Sequence, residues 1–368
     1  MNSVNRLNPC DAQRLLFVLP VKGGSGGAHS VAQEVDELLR FGADVQIAVN
    51  ARNAPSFMTQ YADLPRVHEA IRVFDGAASL AGLMADRDLV ICTIFTSVET
   101  VAQALDTMSG SRPRIGYYIQ DYEPLFCAAD DPLRKAALDS YNRIPGALLF
   151  AKTDWIRDMV TLNHDVPVAK IEPSIDTSIY YPAMPRNRGA IWIAAMVRPH
   201  TRRRAPRRTM SVLKELKEHY GEAVSISIFG CSDEDVVENQ LPHDFDYTNH
   251  GKLSRRQVST LFRSTEVVMD LSDYQAFGRT GLEAMACGCA TILPVLGGTH
   301  EYAVDGVNAM LVDTRSKAAI VQRFADYVAL PDSARQTLRQ AAIGTSQGYS
   351  VARAAWSEMQ VFSEFLAQ

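Results

Sequence analysis

Residues Ser272–Gly288 read SDYQAFGRTGLEAMACG. A short apolar run, Val267–Leu271, leads into this stretch, and another, Ala290–Val295, follows it. Between them lie a glycine-containing turn and then a helical pattern from Thr280. Strand, turn, helix and strand in that order form a parallel crossover, because neighbouring parallel strands need a connection of about a dozen residues or more. The sequence therefore predicts a parallel sheet whose apolar strands are covered by helices on both faces.

The alternation extends both ways along the chain. Toward the N-terminus of this half, strands are expected at Ala190–Val197 and Val224–Phe229, with helices near Met210–His219 and Arg255–Arg263. Beyond it, Met310–Val312 reads as a further strand and Ser350–Leu366 as one amphipathic helix. The first half repeats the pattern. Arg14–Pro20 reads as a strand, followed by a glycine loop and the helix Ala28–Arg40, whose Val31, Val35, Leu38 and Leu39 share one face. Gly42 ends that helix before a strand at Asp44–Val49. Further strands are expected at Ile71–Phe74, Leu89–Ile94, Ile115–Ile119, Ala147–Ala151 and Ala169–Pro173.

Asp176–Gly189 breaks the rhythm with prolines and no period, as a linker between domains does. The expected organisation is thus an α/β chain of two doubly wound, parallel-sheet domains, 12–183 and 188–346, with a final helical segment at 347–368. A length of 368 residues suits two domains of roughly 100–200 each. At 47% hydrophobic and 21% charged, both halves can bury a core. The net charge of −5 argues against a protein that coats nucleic acid.

The six cysteines, Cys10, Cys92, Cys127, Cys231, Cys287 and Cys289, include no CxxC pair, and Cys287 and Cys289 lie in an apolar segment. They read as small buried hydrophobes in a reducing compartment, not as a disulfide framework or a zinc site. Met1–Asp11 is polar and lacks the apolar core of a signal peptide. No stretch reaches the ~20 apolar residues of a membrane span. A cytoplasmic protein is expected, at most peripheral to the inner face of a membrane.

Ligands of parallel α/β sheets bind beyond the carboxyl ends of the strands. Three segments with suitable chemistry fall there. Val21-Lys22-Gly23-Gly24-Ser25-Gly26-Gly27 follows the first strand; its glycines let backbone amides approach an anion, and the next helix offers its positive end. It is neither a GxGxxG fingerprint nor a Walker A loop, and a turn with no ligand is the other reading. Arg198-Pro199-His200-Thr201-Arg202-Arg203-Arg204 follows the strand Ala190–Val197, and guanidinium forks suit phosphate oxygens. Arg198 and Arg203 are the leading pair; a solvated basic loop is the alternative. In the third segment, the amides of Arg279 to Leu282 open a helix toward an anion, and Glu283 can accept from vicinal hydroxyls such as a ribose carries. As plain structure, Glu283 would be a surface acid offsetting the helix dipole.

The run Phe277–Val312, FGRTGLEAMACGCATILPVLGGTHEYAVDGVNAMLV, resembles the donor-binding region of family 4 retaining glycosyltransferases, with its LEAMACG block, GG turn and DG-N tail. RLLFVLPVKGGSGGAHS, KTDWIRDMV with IEPSIDTSIYYP, and WIAAMVRPHTRRR resemble other parts of that family in the right order, so the likeness covers nearly the whole chain. It implies the GT-B fold: two Rossmann-like domains facing across a cleft, with a last helix crossing back to the first domain. It implies that Glu283 binds the ribose, that the amides around Thr280 and Gly281 hold the diphosphate, and that Arg198 and Arg203 bind phosphate, Arg203 standing where the family usually has lysine. Arg204, Phe277, Gly278 and Arg279 join the donor site. Gly23 and Gly24 would close over the diphosphate and sugar, and a strand around Gly251 and Leu253 would contact the base.

Two positions depart from the family pattern. Gln275, eight residues before Glu283, stands where the family has a glutamate facing the donor sugar. Gln120 stands where many members have histidine, beside Asp121. The segment YYIQDYEPLF, with the RP-x-x-x-R segment, is similar to the rhamnan-synthesis subgroup, whose donor is dTDP-L-rhamnose. The implied reaction is retaining, front-face transfer from a nucleotide sugar to a glycan or lipid-linked glycan. Arg198, Arg203, Asp121 and Gln275 are the expected catalytic-site residues, with no metal and no cofactor. A nucleotide-sugar epimerase of the same fold and a non-catalytic nucleotide-sugar-binding subunit of a glycan-assembly complex are the competing readings, the latter motivated by the two glutamines.

Overall fold

The computed structural model describes residues 13–183 and 189–368. Cys10, the segment Met1–Asp11, the expected domain starts at 12 and 188, and the linker stretch 184–188 lie outside the described residues. The chain divides into two compact units, one made of residues up to Ser174 together with Val351–Gln368, the other of Ile175–Ser350. The sequence puts these divisions at 183/188 and 346/347. The first falls earlier because Ile175, Ile179 and Tyr180 are buried in the apolar core of the second unit, so the start of the expected linker is packed structure.

The first unit holds a seven-stranded sheet: β1 (Arg14–Val18), β2 (Asp44–Asn50), β3 (Ile71–Phe74), β4 (Leu89–Cys92), β5 (Arg114–Ile119), β6 (Leu148–Ala151) and β7 (Ala169–Lys170). Their order is β3-β2-β1-β4-β5-β6-β7, all parallel. Phe17 of β1 lies opposite Ile47 on one side and Ile91 on the other. Such strands are apolar throughout because both faces are covered; Leu15 to Val18 are fully buried.

The helix Gly26–Arg40 and the final helix Val351–Leu366 pack within this unit. Ala354, Ala355, Met359 and Phe362 recur at helical spacing and are inaccessible to solvent. Phe362 meets Phe150 of β6 edge-on at 5.3 Å between ring centres. Burial of one such phenyl group stabilises the fold by about 2 kcal/mol.

The second unit holds β8 (Ile191–Met196), β9 (Val224–Phe229), β10 (Thr248–Asn249), β11 (Val267–Met269), β12 (Ala290–Pro294) and β13 (Met310–Val312). Their order is β10-β9-β8-β11-β12-β13, again all parallel. Both sheets start on a central strand, grow to one side, and then reverse. The reversal falls between β1 and β4 in the first unit and between β8 and β11 in the second. Loops diverge at such a point and leave a crevice beyond the strand ends.

The strand expected around Gly251 and Leu253 is displaced. The pairing is limited to Thr248 and Asn249, and Gly251 is in a turn with φ +67°. Its carbonyl accepts from the Gly230 amide at 2.8 Å, and its own amide donates to Asn249 Oδ1 at 3.0 Å.

Candidate donor site in the second unit

The loops that leave the strands of the second sheet gather at its carboxyl edge. Those after β8 and β11 flank the reversal point, where Met269 pairs with Ala195. Arg198 lies three residues beyond Ala195, and its side chain is exposed with Nε 3.3 Å from Met196 Sδ. The arginine run folds as a short 3-10 turn, Arg202–Arg204, docked on the loop after β11. The Asp273 amide donates to the Arg203 carbonyl at 2.8 Å, and the Arg203 guanidinium lies 5.4 Å from the Tyr274 ring centre. Arg204 is turned elsewhere: its Nη1 is 3.7 Å from Asp270 Oδ2. Its guanidinium therefore offsets a carboxylate of its own chain.

Asp270 is a residue that the sequence reading passed over. It is 9% exposed and stands at the end of β11. Its Oδ1 accepts from the Ser272 amide at 3.1 Å and the Ser272 hydroxyl at 2.5 Å, and its Oδ2 accepts from Gln275 Nε2 at 2.6 Å. The available signal was an acid placed directly after the buried run Val267-Val268-Met269, where an unpartnered charge would be costly.

The helix after this loop runs Arg279–Ala286. Its start is narrower as an anion site than expected. The amides of Gly281 and Leu282 turn back to the Gly278 carbonyl at 2.9 and 3.4 Å, which leaves the Thr280 end of the turn as the anion-facing position. Gly278 and Gly281 serve close packing. A Cβ on Gly278 would come within 2.7 Å of the Tyr302 hydroxyl, and one on Gly281 within 2.6 Å of it and 2.8 Å of Leu293. That hydroxyl donates to the Gly278 carbonyl at 2.7 Å. Phe277 stacks edge-on with Tyr302 at 5.5 Å, and Leu253 packs against the same apolar cluster.

Glu283 is buried, not the surface acid of the alternative reading. Its Oε1 accepts from Arg279 Nε at 3.0 Å, one helical turn back. Burial pushes the Glu283 carboxyl up, opposed by the Arg279 charge and by hydrogen bonds from Arg279 and Tyr180. The Arg279 side chain is therefore paired with Glu283. Thr280 and Arg198 remain at the carboxyl edge.

In the first unit, the reversal point is closed by Thr93, whose hydroxyl donates to the Val18 carbonyl at 2.7 Å. Gly23 and Gly24 have φ of +82° and +73°, which only glycine adopts without strain. The Gly24 amide donates to the Tyr61 hydroxyl at 3.3 Å. One amide at the head of the helix Gly26–Arg40 is capped locally, since Ser25 Oγ accepts from Ala28. Gln120 Nε2 donates to the Thr93 carbonyl at 3.2 Å. Asp121 is buried, and its Oδ1 accepts from the Tyr122 amide at 2.9 Å. Behind it, Glu123 Oε2 accepts from the Phe95 amide at 2.6 Å and the Tyr117 hydroxyl at 2.9 Å. Burial pushes the Glu123 carboxyl up to about 8. Glu123 lies in the YYIQDYEPLF segment, where the sequence alone gives it no role.

The five described cysteines are free, and all but Cys127 are buried. Among the described residues, no helix is long and apolar enough to cross a membrane.

Comparison with known proteins bears on these loops. The family described as Glycosyl transferases group 1 matches residues 194–344, inside the second unit. The O-antigen biosynthesis protein RfbC of Myxococcus xanthus is 25% identical over 287 residues, covering 78% of this chain and 21% of that protein. A D-inositol 3-phosphate glycosyltransferase of Xylanimonas cellulosilytica is 28% identical over 115 residues, 31% of this chain and 27% of the other. The chain thus spans between a fifth and a third of the length of these curated relatives.

Among solved structures, HepE of Anabaena, in complex with UDP and glucose, superposes with a TM-score of 0.78 at 14% identity, covering 96% of this chain and all of the other. Sucrose-phosphate synthase of Thermosynechococcus elongatus gives 0.75 at 15% identity, over 97% of this chain and all of the other. With two Rossmann-ordered sheets and these neighbours, the chain has the GT-B fold, and its residues 194–344 are similar to the group 1 glycosyltransferases.

Proposed function

We propose that this protein is a retaining glycosyltransferase that moves a sugar from a nucleoside diphosphate to a glycan or lipid-linked glycan acceptor, with dTDP-L-rhamnose as the donor. The observation that supports the reading is that Arg198 and Arg203 follow β8, and the Thr280 helix start follows the adjacent parallel strand β11, within the segment that matches the group 1 family. The choice of rhamnose is supported by the YYIQDYEPLF segment alone.

In this reading the diphosphate lies against Arg198, Arg203 and the Thr280 amide. As the glycosidic bond stretches, negative charge grows on the β-phosphate, and these donors stabilise it more in the transition state than in the ground state. A phosphate oxygen takes the proton of the acceptor hydroxyl as it enters from the face the leaving group vacates. Glu283, held in place by Arg279 and Tyr180, offers its carboxylate to the ribose. Fixed guanidinium charge does the work that a bound cation would do, so the reading calls for no metal or cofactor.

The test is thermal-shift titration of the purified chain with UDP, GDP, ADP and dTDP, followed by transfer assays with the matching nucleotide sugars. Specific binding raises the melting temperature by mass action. Stabilisation by dTDP above the other three supports the donor; stabilisation by none of them overturns the reading. Binding with neither transfer nor hydrolysis, acceptor supplied, would identify a binding subunit instead.

A further inference from the structure

Gln275 is held in a closed ring of hydrogen bonds. It is 3% exposed, Ser272 2% and Asp270 9%. One amide hydrogen of Gln275 goes to Asp270 Oδ2 at 2.6 Å, and the second to Ser272 Oγ at 3.1 Å. Ser272 spends its own proton on Asp270 Oδ1 at 2.5 Å, so toward Gln275 it can only accept. An ionised carboxylate has no proton to give, so only the NH2 end of the amide can face Asp270.

The backbone is pinned as well. The Gln275 carbonyl accepts from the Gly298 amide at 2.6 Å, and the Ser272 carbonyl accepts from the Thr314 hydroxyl at 2.5 Å.

We infer that Asp270 is a positioning residue that turns Gln275 into a pure hydrogen-bond acceptor, and so selects a donor whose sugar presents a hydroxyl hydrogen at that place. Both N–H bonds of Gln275 are consumed inside the protein, and its side-chain carbonyl oxygen carries the remaining capacity. The ring also accounts for glutamine here. A glutamate would set a second carboxylate against Asp270, and Arg204, 3.7 Å from Asp270, would have to offset both. This inference rests on the reading of the β11 loop as the donor-sugar site.

The experiment compares the wild type with D270N, Q275E and the double variant D270N/Q275E. Each is titrated with UDP, GDP and dTDP and with UDP-glucose, GDP-mannose and dTDP-L-rhamnose, and its melting temperature is measured. In D270N the amide can face either way, and in Q275E two carboxylates oppose each other. In the double variant the new amide at position 270 donates to the new carboxylate at position 275, and one orientation returns. For the preferred nucleotide sugar, Kd is expected to rise by up to about tenfold in each single variant, the order of one lost hydrogen bond. It should return to within about threefold in the double variant. Affinity for the bare diphosphate should stay within about twofold throughout.

An independent readout is hydrogen exchange at the 15N-labelled Gln275 side-chain amide, assigned by its loss in Q275E. It should be slow in the wild type and fast in D270N. Equal losses for diphosphate and nucleotide sugar, or no recovery in the double variant, would overturn the inference. If the wild type binds none of the diphosphates, the donor-site reading falls, while the exchange measurement still judges the ring.

Discussion

Gln120 Oε1 lies 2.8 Å from the point where a Cβ on Gly27 would sit. The contact joins the loop after β5 to the first turn of the helix Gly26–Arg40, so a Cβ at position 27 fits only if the Gln120 side chain moves. Gly27 has ordinary helical geometry, so alanine there suits the backbone and gains about 1 kcal/mol of helix propensity. The cost falls on the Gln120 side chain, which must leave the Thr93 carbonyl. Gly27→Ala is therefore expected to change unfolding free energy by less than about 1 kcal/mol while reproducing the turnover of Gln120→Ala. Urea denaturation and transfer assays check both, and normal turnover in Gly27→Ala beside a defective Gln120→Ala would refute the contact's role.

Gly297 is a different case. A Cβ there would meet the Gln275 carbonyl oxygen at 2.1 Å, and φ is +99°. Backbone cannot retreat as a side-chain tip can, so Gly297→Ala should cost about 2–4 kcal/mol. Gly306, at φ +71° with open space around it, is the control: alanine there should cost only about 1 kcal/mol. Equal melting temperatures for the two variants would count against the packing described.

Two buried carboxyls make stability depend on pH with one sign. Burial raises Glu123 to about 8, and burial beside Glu34 raises Glu358, with Lys152 opposing. Each takes up a proton on folding, so its contribution is fully present below the unfolded value near 4.5 and is lost as pH climbs through the folded value. Stability should decline from about pH 5 to pH 8. Glu123→Gln keeps an acceptor for the Phe95 amide and Tyr117, and Glu358→Gln can donate to Glu34; each should flatten the decline. Denaturant midpoints across that range decide it, and a wild-type curve that rises with pH would contradict the assignment.

Arg198 and Arg204 should separate catalysis from architecture. Arg198 is exposed, so Arg198→Ala should fold normally and lose about 10²–10³ in transfer rate, the usual cost of one transition-state donor. Arg204→Ala leaves Asp270 without its nearby cation and should cost about 1–3 kcal/mol of stability. Turnover and melting temperature are measured for both. Near-normal turnover in Arg198→Ala would remove it from the diphosphate site.

Local chemistry carried much of the architecture. Ile71–Phe74, Val224–Phe229, Arg255–Arg263 and Met310–Val312 fall where their apolar pattern puts them, because a strand buried on both faces and a one-sided helix leave distinct spacings. β10 escaped because two polar residues, Thr248 and Asn249, have no period to detect; they form a strand only because β9 offers its edge. Among the site residues, Arg279 and Glu283 stand at the i, i+4 spacing that a helix brings together, though they were not paired from the sequence. Arg204–Asp270 was not legible, since the partners sit on loops that follow different strands, with three helices and two further strands between them in the chain.

The order of strands and helices, and the places where loops must reach a carboxyl edge, follow from side-chain burial acting over a few residues at a time. That Arg204 meets Asp270 follows only once crossovers bring β8 beside β11. Burial then makes an unpartnered charge too costly to keep. Asp270 takes Arg204, Ser272 and Gln275; Glu283 takes Arg279. Arg198, Arg203 and the Thr280 turn stand on the loops after those same two strands, β8 and β11.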